Sequence, residues 1–320
     1  MIKRVGCLGL IALILGALWT FNSWQGAGPL PASTKVEINE GTSLRSAAHL
    51  LAVKGAIRSS TGFITLAKIF GAGSAIKSGT YRIKAHASAA EILAQLQGGK
   101  TVQQLVTIPE GMPSVLVRAR LLAEKDLSGD VPLPAEGSVL PESYSFEGGE
   151  PRADVLKRMQ DAMTKTLADE WARRSANTVA SSPQQAIILA SIVEKETALA
   201  SERPLVAGVY SNRVRLGMRL QADPTVIYPV TKGRPLGRRI RKSELAADNG
   251  YNTYLKPGLP AGPIANPGRA AIAAVLNPAD TKSLYFVANG KGGHIFSETL
   301  QGQNENVQKW FALRRARGEM

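Results

Sequence analysis

Cysteine is almost missing from this chain of 320 residues: Cys7 stands alone, so no intrachain disulfide can form and no cysteine-based metal site can be built. Histidine is nearly as scarce, and His49, His86 and His294 do not fall at a metal-ligand spacing; the sequence predicts no metal and no cofactor. There is no internal repeat or low-complexity tract. The Gly-rich turn around Lys291 is not a phosphate loop, because no Gly-Lys-Ser/Thr follows it. Acidic residues are in deficit as well, 25 against 39 Lys and Arg, which leaves a formal charge of +14. Such a surface attracts polyanions: nucleic acid, anionic lipid or an acidic wall polymer.

What is present narrows that choice. Met-Ile-Lys-Arg is followed by an uncharged apolar run from Val5 to Phe21, with Trp19 and Trp24 towards its outer end. A run of this length lies at the short limit for crossing a bilayer, about 17–25 residues. No Ala-x-Ala-like site closes it, so an uncleaved anchor is expected rather than a removed signal. Cys7 lies inside the run with no apolar segment before it, which speaks against lipidation. Lys3 and Arg4 precede the run and the next cation is Lys35, so the N-terminus is expected to stay cytoplasmic and the remainder to be exported. Nucleic acid then drops out as a partner, leaving lipid headgroups and wall polymer.

The expected class is α+β, with the residues divided as follows: 1–24 a cytoplasmic stub and transmembrane anchor, 25–34 a Gly/Pro/Ser linker, 35–107 a small module, 108–320 a larger mixed domain. In the module, Lys35-Val-Glu-Ile alternates like a strand and Leu44, Ala47, Ala48, Leu51 and Ala52 recur at helical spacing before Gly55. Phe63–Phe70 reads as a second helix, Lys77–Ala85 as a strand, and Ser88 opens a capped helix ending at Gly98-Gly99. Val102–Met112 reads as a further strand and turn. In the larger domain, helical patterns cover 153–174 and 182–216. Loops and short strands are expected after Gly217, with a helix near Arg269, a strand at Ser283–Asn289 and a last helix over 305–317.

The segment Ser181-Ser-Pro is a well-specified N-terminus: here Ser182 is the N-cap, Pro183 the first helical residue and Gln185 completes a capping-box pattern. At about 100° per residue, Ile188, Leu189, Ile192 and Val193 share a stripe, and Glu196 falls inside it. Glu194 and Lys195 fall away from it, so Glu194 is expected to pair or be solvated. A carboxylate on the buried face is either locked in an ion pair, here with Arg203 or Arg213, or held dry enough to keep its proton near neutral pH. The second state is that of a general acid for glycoside cleavage. Helical phase alone leaves both open.

Ile192-Val-Glu-Lys-Glu-Thr-Ala-Leu-Ala-Ser-Glu-Arg, then Gly208-Val-Tyr-Ser-Asn-Arg through Gln221-Ala-Asp-Pro, then Tyr251-Asn-Thr-Tyr through Asn266-Pro-Gly, then Gly292-Gly-His-Ile-Phe-Ser-Glu-Thr resemble, in the same order, the MltG (YceG-like) family of membrane-anchored endolytic murein transglycosylases. Upstream, Lys77-Ser-Gly-Thr-Tyr-Arg-Ile and Thr107-Ile-Pro-Glu-Gly-Met resemble that family's LysM-like module and its junction. The resemblance implies that Glu196 is the catalytic acid and that the reaction is non-hydrolytic. The MurNAc–GlcNAc bond would break while the sugar's own 6-hydroxyl closes a 1,6-anhydro ring. It further implies an inner-membrane, single-pass protein with a periplasmic catalytic domain, acting on nascent peptidoglycan strands and ending their elongation, beside peptidoglycan synthases as possible partners.

Other candidates carry two readings each. Gln221 and Asp223 could bond sugar hydroxyls or cap a turn, and the resemblance favours lining the site for Gln221. Asn212 and Arg213 line a cavity or brace it. Tyr251, Asn252 and Tyr254 precede a Gly/Pro-stiffened loop and read as a groove wall or as packed residues. His294 is placed at the site's edge. The cations from Lys232 to Lys242 guide an anionic glycan or lipid, or form a solvated face; Arg241 stands where the family is expected to have a small hydroxyl residue, and Pro260-Ala261 where it has two prolines. Two rivals remain: a hydrolase, which would need Asp223 or Glu202 as a second carboxylate, and a glycan-binding scaffold for synthases.

Overall fold

The computed structural model describes residues 15–319 apart from 17, 40, 72 and 100–103. Most of the expected membrane run, Val5–Ile14, lies outside the described residues, as do Val102 and Gln103. Among the described residues, no helix is long and apolar enough to cross a membrane. The chain divides into two compact units: residues up to 105 with 125–128 and 145–151, and residues 106–124, 129–144 and 152 onward. The class is α+β, with small two-stranded sheets.

In the first unit, β1 (Thr34–Ile38) pairs antiparallel with β2 (Gly79–Ile83), Val36 opposite Tyr81. Alternation along each strand sends Val36, Ile38, Tyr81 and Ile83 to one buried face. Three helices close over it: α1 (Leu44–Val53), α2 (Ser60–Phe70) and α3 (Ala89–Gly98), contributing Leu51, Phe63, Ile92 and Leu96. Each begins at a serine, Ser43, Ser59 or Ser88, whose hydroxyl accepts from the third helical amide. Helix α3 has the full capping box with Glu91, and it ends at Gly99, which adopts the left-handed conformation at φ 68°. Residues 18–25 are helical too. Trp24, which the sequence placed at the outer end of a membrane run, is instead buried in this core against Phe63 and Phe70, while Leu18, Trp19 and Phe21 are exposed.

The second unit is built around α6 (Pro183–Glu196). Before it in sequence come β3 (Gln104–Thr107), α4 (Ser114–Ala123), β4 (Ser143–Phe146) and α5 (Arg152–Ala172); β3 and β4, of which residues 106–107 and 143–144 fall in this unit, form a small sheet. After it come α7 (Arg203–Arg215), α8 (Asp223–Thr231), α9 (Lys242–Leu245), α10 (Arg269–Leu276), the antiparallel hairpin β5 (Tyr285–Ala288) and β6 (His294–Ser297), and α11 (Leu300–Ala316). Helices α5, α7, α8 and α10 pack on α6 or on one another, and every residue of α6 from Ala186 to Val193 is buried. Each large aliphatic side chain withdrawn from water contributes about 1.5–3 kcal/mol, so this helix is the unit's spine.

Several expectations need correction here. The helical pattern over 182–216 is two helices, because Thr197 leaves the helix in extended conformation and its hydroxyl bonds Glu202 at 2.9 Å. The segment at Asp223-Pro224 is helical, not strand or turn: Pro224 occupies the first turn, where its missing N–H costs nothing, and a second proline, Pro229, is tolerated further on. Helix α11 starts at Leu300 rather than 305, with Thr299 accepting from the Gly302 amide. The cationic segment contains the short α9, whose Glu244 bonds Arg238 and the Arg241 amide. The single-stripe picture of α6 also fails, since all of residues 186–193 are buried and the side chain of Glu194, set off the stripe by helical phase, is only 4% exposed.

Asn266 ties the loops of this unit together. It is fully buried; its Oδ1 accepts from the Val139 amide at 3.0 Å, and its Nδ2 donates to Met112 O at 2.9 Å and Ser114 Oγ at 3.1 Å. Asn266→Ala strands several buried partners, each worth about 1–3 kcal/mol when left unpaired. We expect the unfolding transition in urea to fall by on the order of 3 kcal/mol; a loss within experimental error would show that water replaces the side chain.

Candidate active site

Glu196 is the last residue of α6, where the enclosed helix emerges into a cleft of about 410 Å³. Its Oε1 accepts a hydrogen bond from the Tyr210 phenol at 2.9 Å, while Oε2 receives none from any described residue. Burial pushes its pKa up to about 7, opposed by the Tyr210 bond and reinforced by the nearby Asp223 charge. Among the described residues it makes no salt bridge. The two arginines that could have locked it are engaged elsewhere. Arg203 bonds Glu194 at 3.0 Å and Glu110 at 2.7 Å. Arg213 donates to the carbonyls of Leu284 at 2.7 Å and Leu220 at 2.8 Å, beneath the ring of Tyr285.

Glu194, two residues earlier, shows the contrasting fate. Its side chain is 4% exposed, it is paired with Arg203, and its Oε2 accepts from the Gly268 amide at 2.8 Å. A Cβ at Gly268 would collide with the Glu110 carboxylate, so the glycine lets both acids gather there. Burial raises the Glu194 pKa, with the Gly268 amide and Arg203 acting against it. It is a structural ion pair away from the cleft's lining.

The rest of the cleft wall comes from five segments. Tyr210 and Arg213 project from one face of α7, one turn apart. Gln221, with a left-handed backbone at φ 53°, and Asp223 follow the α7–α8 turn, and Tyr254 closes that side with its phenol on Asp223 Oδ1 at 2.6 Å. Burial, then the Asp223 contact, raises the pKa of Tyr254; burial, then Glu196, raises that of Tyr210. Both therefore stay protonated as donors. Tyr285, Phe286, Leu300 and Gln303 complete the lining from the C-terminal hairpin and helix.

Thus Glu196, Arg213, Gln221, Asp223 and Tyr254 come together. Asn212 points to the other side of α7, donating to Thr281 O and Ser283 O at 2.7 and 3.1 Å. Asn252 is buried and donates to the carbonyls of Leu245 and Ala247, holding the loop after α9. Tyr251 packs on Tyr228, ring centroids 5.1 Å apart. His294 lies one layer behind the wall: Nδ1 meets Glu202 Oε2 at 2.7 Å and the ring stands edge-on to Phe286, which in turn stands edge-on to Tyr210. Although burial opposes it, bonding from His294 and Thr197 holds the Glu202 pKa below its usual value.

Sequence reasoning missed Tyr210, Leu220, Tyr285, Phe286, Leu300 and Gln303. Tyr210 was legible in part: it lies 14 residues beyond Glu196 on the next helix. The alternation in Leu284-Tyr-Phe-Val could have flagged one of the two aromatics. Nothing in the sequence marks Gln303.

The family model described as the YceG-like family matches residues 36–309. A Bacillus subtilis protein named endolytic murein transglycosylase is 27% identical over 316 residues, covering 88% of this chain and 86% of that protein. A Streptococcus pneumoniae protein of the same name is also 27% identical, over 87% of this chain, which spans 59% of that longer protein. A crystal structure of a putative YceG-like protein from Listeria monocytogenes superposes with a TM-score of 0.56 at 27% identity, covering 85% of this chain and 98% of that one.

The raised pKa of Glu196 has a sign that can be tested. The folded chain keeps a proton from the ordinary value of 4.5 up to about 7, a window in which the unfolded chain has released it. Folding therefore loses stability as pH rises through that window, by on the order of 3 kcal/mol. Glu196→Gln removes this loss. The variant is expected to match the wild type near pH 4 and to exceed it in urea stability at pH 8; equal stability at both would place the carboxyl in water.

Proposed function

The chain belongs to the YceG-like family, and on that premise we propose that it is a peptidoglycan lytic transglycosylase, a carbon–oxygen lyase in which Glu196 is the acid and then the base. The observation that carries the reading is one carboxyl group, free of any cation, with a pKa near 7, on the wall of an open cleft. At neutral pH a large fraction of such groups hold a proton to give.

In the first half of the reaction Glu196 transfers its proton to the glycosidic oxygen as the bond from the MurNAc anomeric carbon to the GlcNAc oxygen breaks. Positive charge grows at that carbon. The ionised carboxylate, steadied by the Tyr210 phenol, then takes the proton from the 6-hydroxyl as its oxygen bonds the anomeric carbon. One proton leaves Glu196 and one returns, no water is consumed, and no second carboxylate is needed. Arg213 and the Tyr254–Asp223 pair lie where they can bond sugar substituents. The rival in which Asp223 activates water draws on its place in the same cleft, yet its carboxylate is already engaged by Tyr254.

We read residues 5–21 as a membrane anchor and the first unit as a LysM-like, glycan-binding module, the whole acting outside the cytoplasmic membrane on nascent strands beside the synthases and ending their elongation. The uncharged run and the exposed Leu18, Trp19 and Phe21 at its C-terminal end support the anchor.

Digestion of purified peptidoglycan by the whole chain in detergent should yield fragments lighter by one water than hydrolytic ones. Glu196→Gln should lower the rate by at least about 100-fold while still binding glycan. Fragments with reducing ends would replace the lyase by a hydrolase, full activity of the variant would remove Glu196 as the acid, and a wild type that binds strands without cutting them would leave a scaffold in place of an enzyme. For the anchor, the chain expressed in cells should stay in the membrane pellet after alkaline carbonate extraction, and deletion of residues 1–21 should release it. Release of the intact chain would rule out a spanning segment.

A further inference from the structure

The first unit holds an apolar pocket of about 180 Å³ that plays no part in the cleft of Glu196. Trp19 lines it from the helical residues 18–25, Ile57 and Arg58 from the α1–α2 connection, and Gly62, Phe63 and Leu66 from α2. Ile57 and Phe63 are withdrawn from water, but Trp19 is 71% exposed and Arg58 is exposed too, so the pocket is open to an entering group. No carboxylate lines it, and Arg58 is its one charged residue. That guanidinium is held by a single hydrogen bond, from Nη2 to Ala27 O at 3.1 Å, and its other N–H groups meet no described residue. Gly62 leaves part of the space empty: a Cβ there would touch only Ser59, at 3.6 Å.

We propose that this pocket binds an anionic phospholipid of the bilayer that holds the chain, with a stretch of acyl chain against Trp19, Ile57, Phe63 and Leu66 and the phosphate on Arg58. The site rests on the reading of residues 5–21 as an anchor. On that reading Trp19, two residues before the apolar run ends at Phe21, lies at the outer boundary of the hydrocarbon, the depth at which tryptophan collects. A pocket that shares the Trp19 ring is at the same depth, beside lipid. A glycan could stack on that ring, but its many hydroxyls would face a wall whose polar side chains are two serines and one arginine. A phospholipid matches both parts of the site: its hydrocarbon covers the apolar wall, and its phosphate oxygens accept from the N–H groups Arg58 has to spare. The charge around the pocket has the matching sign, since residues 22–99 carry eight Lys and Arg against three Glu. A lipid seated there is a second attachment beside the anchor, and it holds the first unit against the bilayer.

The test equilibrates the full-length chain in detergent micelles with phosphatidylglycerol and counts the lipid molecules kept on each chain by native mass spectrometry. Gly62→Leu fills the pocket from a helical position that has room for the side chain, and Arg58→Gln removes the charge at its rim. The wild type should keep one phosphatidylglycerol more than Gly62→Leu. Arg58→Gln should weaken retention of that lipid at least about tenfold, the worth of a hydrogen bond to a charged group, and neither variant should show a lower thermal midpoint. Retention that ignores both substitutions overturns the proposal, as does displacement of the lipid by a tetramer of N-acetylglucosamine, which would give the pocket to a glycan. Should Gly62→Leu not fold, Arg58→Gln decides alone. Release of the intact chain from membranes by alkaline carbonate counts against the anchor itself, whereas an anchored chain whose variants keep lipid as well as the wild type sinks only the pocket.

Discussion

The structure of the second unit turns on how one carboxyl group is kept out of water without being given a cation. Glu196 ends a helix in which residues 186–193 are all buried, and a neutral phenol is its hydrogen-bond partner. Had an arginine met it instead, the proton would have been lost well below neutrality and the group would be a brace. The surroundings keep the arginines occupied: Arg203 between Glu194 and Glu110, and Arg213 between carbonyl groups and the Tyr285 ring. Every other feature of the cleft is arranged about that restraint.

The two glutamates of the Glu194-Lys195-Glu196 segment show what sequence could and could not settle. Periodicity picked Glu196, yet it did so on the premise of a one-sided helix, and α6 is buried all round over residues 186–193. The side chain of Glu194 is also withdrawn from water, at 4% exposed. What separates them is the pairing of Glu194 with a guanidinium and with the amide of Gly268, 74 residues away. Contacts of that reach leave no local trace, so the distinction rested on the long motifs and not on geometry.

The elements legible in advance were those with strong local signals. The helix capped by Ser88 and the strands with alternation formed where cap and period required, whereas the helix expected from Phe63 starts three residues earlier behind Ser59. The misreadings fell where one residue type supports two structures. Pro224 lies where loops and short strands are expected, but proline suits the first turn of a helix equally well. Trp24 reads in sequence as the outer end of the apolar run, although its ring closes the core of the first unit. Within the cleft, the polar residues of the Gln221–Asp223 turn could be named from sequence. Its aromatic and C-terminal walls could not, because they are brought in by hairpin and helix packing.

The helix end itself has an electrostatic side. The final turn of α6 leaves carbonyl groups without amide partners, and the aligned peptide dipoles gather partial negative charge there. A carboxylate placed at the opposite terminus would be favoured in its ionised form; placed on the last residue, it is disfavoured. The chain's turn out of the helix at Thr197 therefore does more than redirect the backbone. It sets the proton-holding residue at the pole of the helix where retaining hydrogen is easiest, so that extending α6 by a turn would move Glu196 off that pole and loosen its hold on the proton.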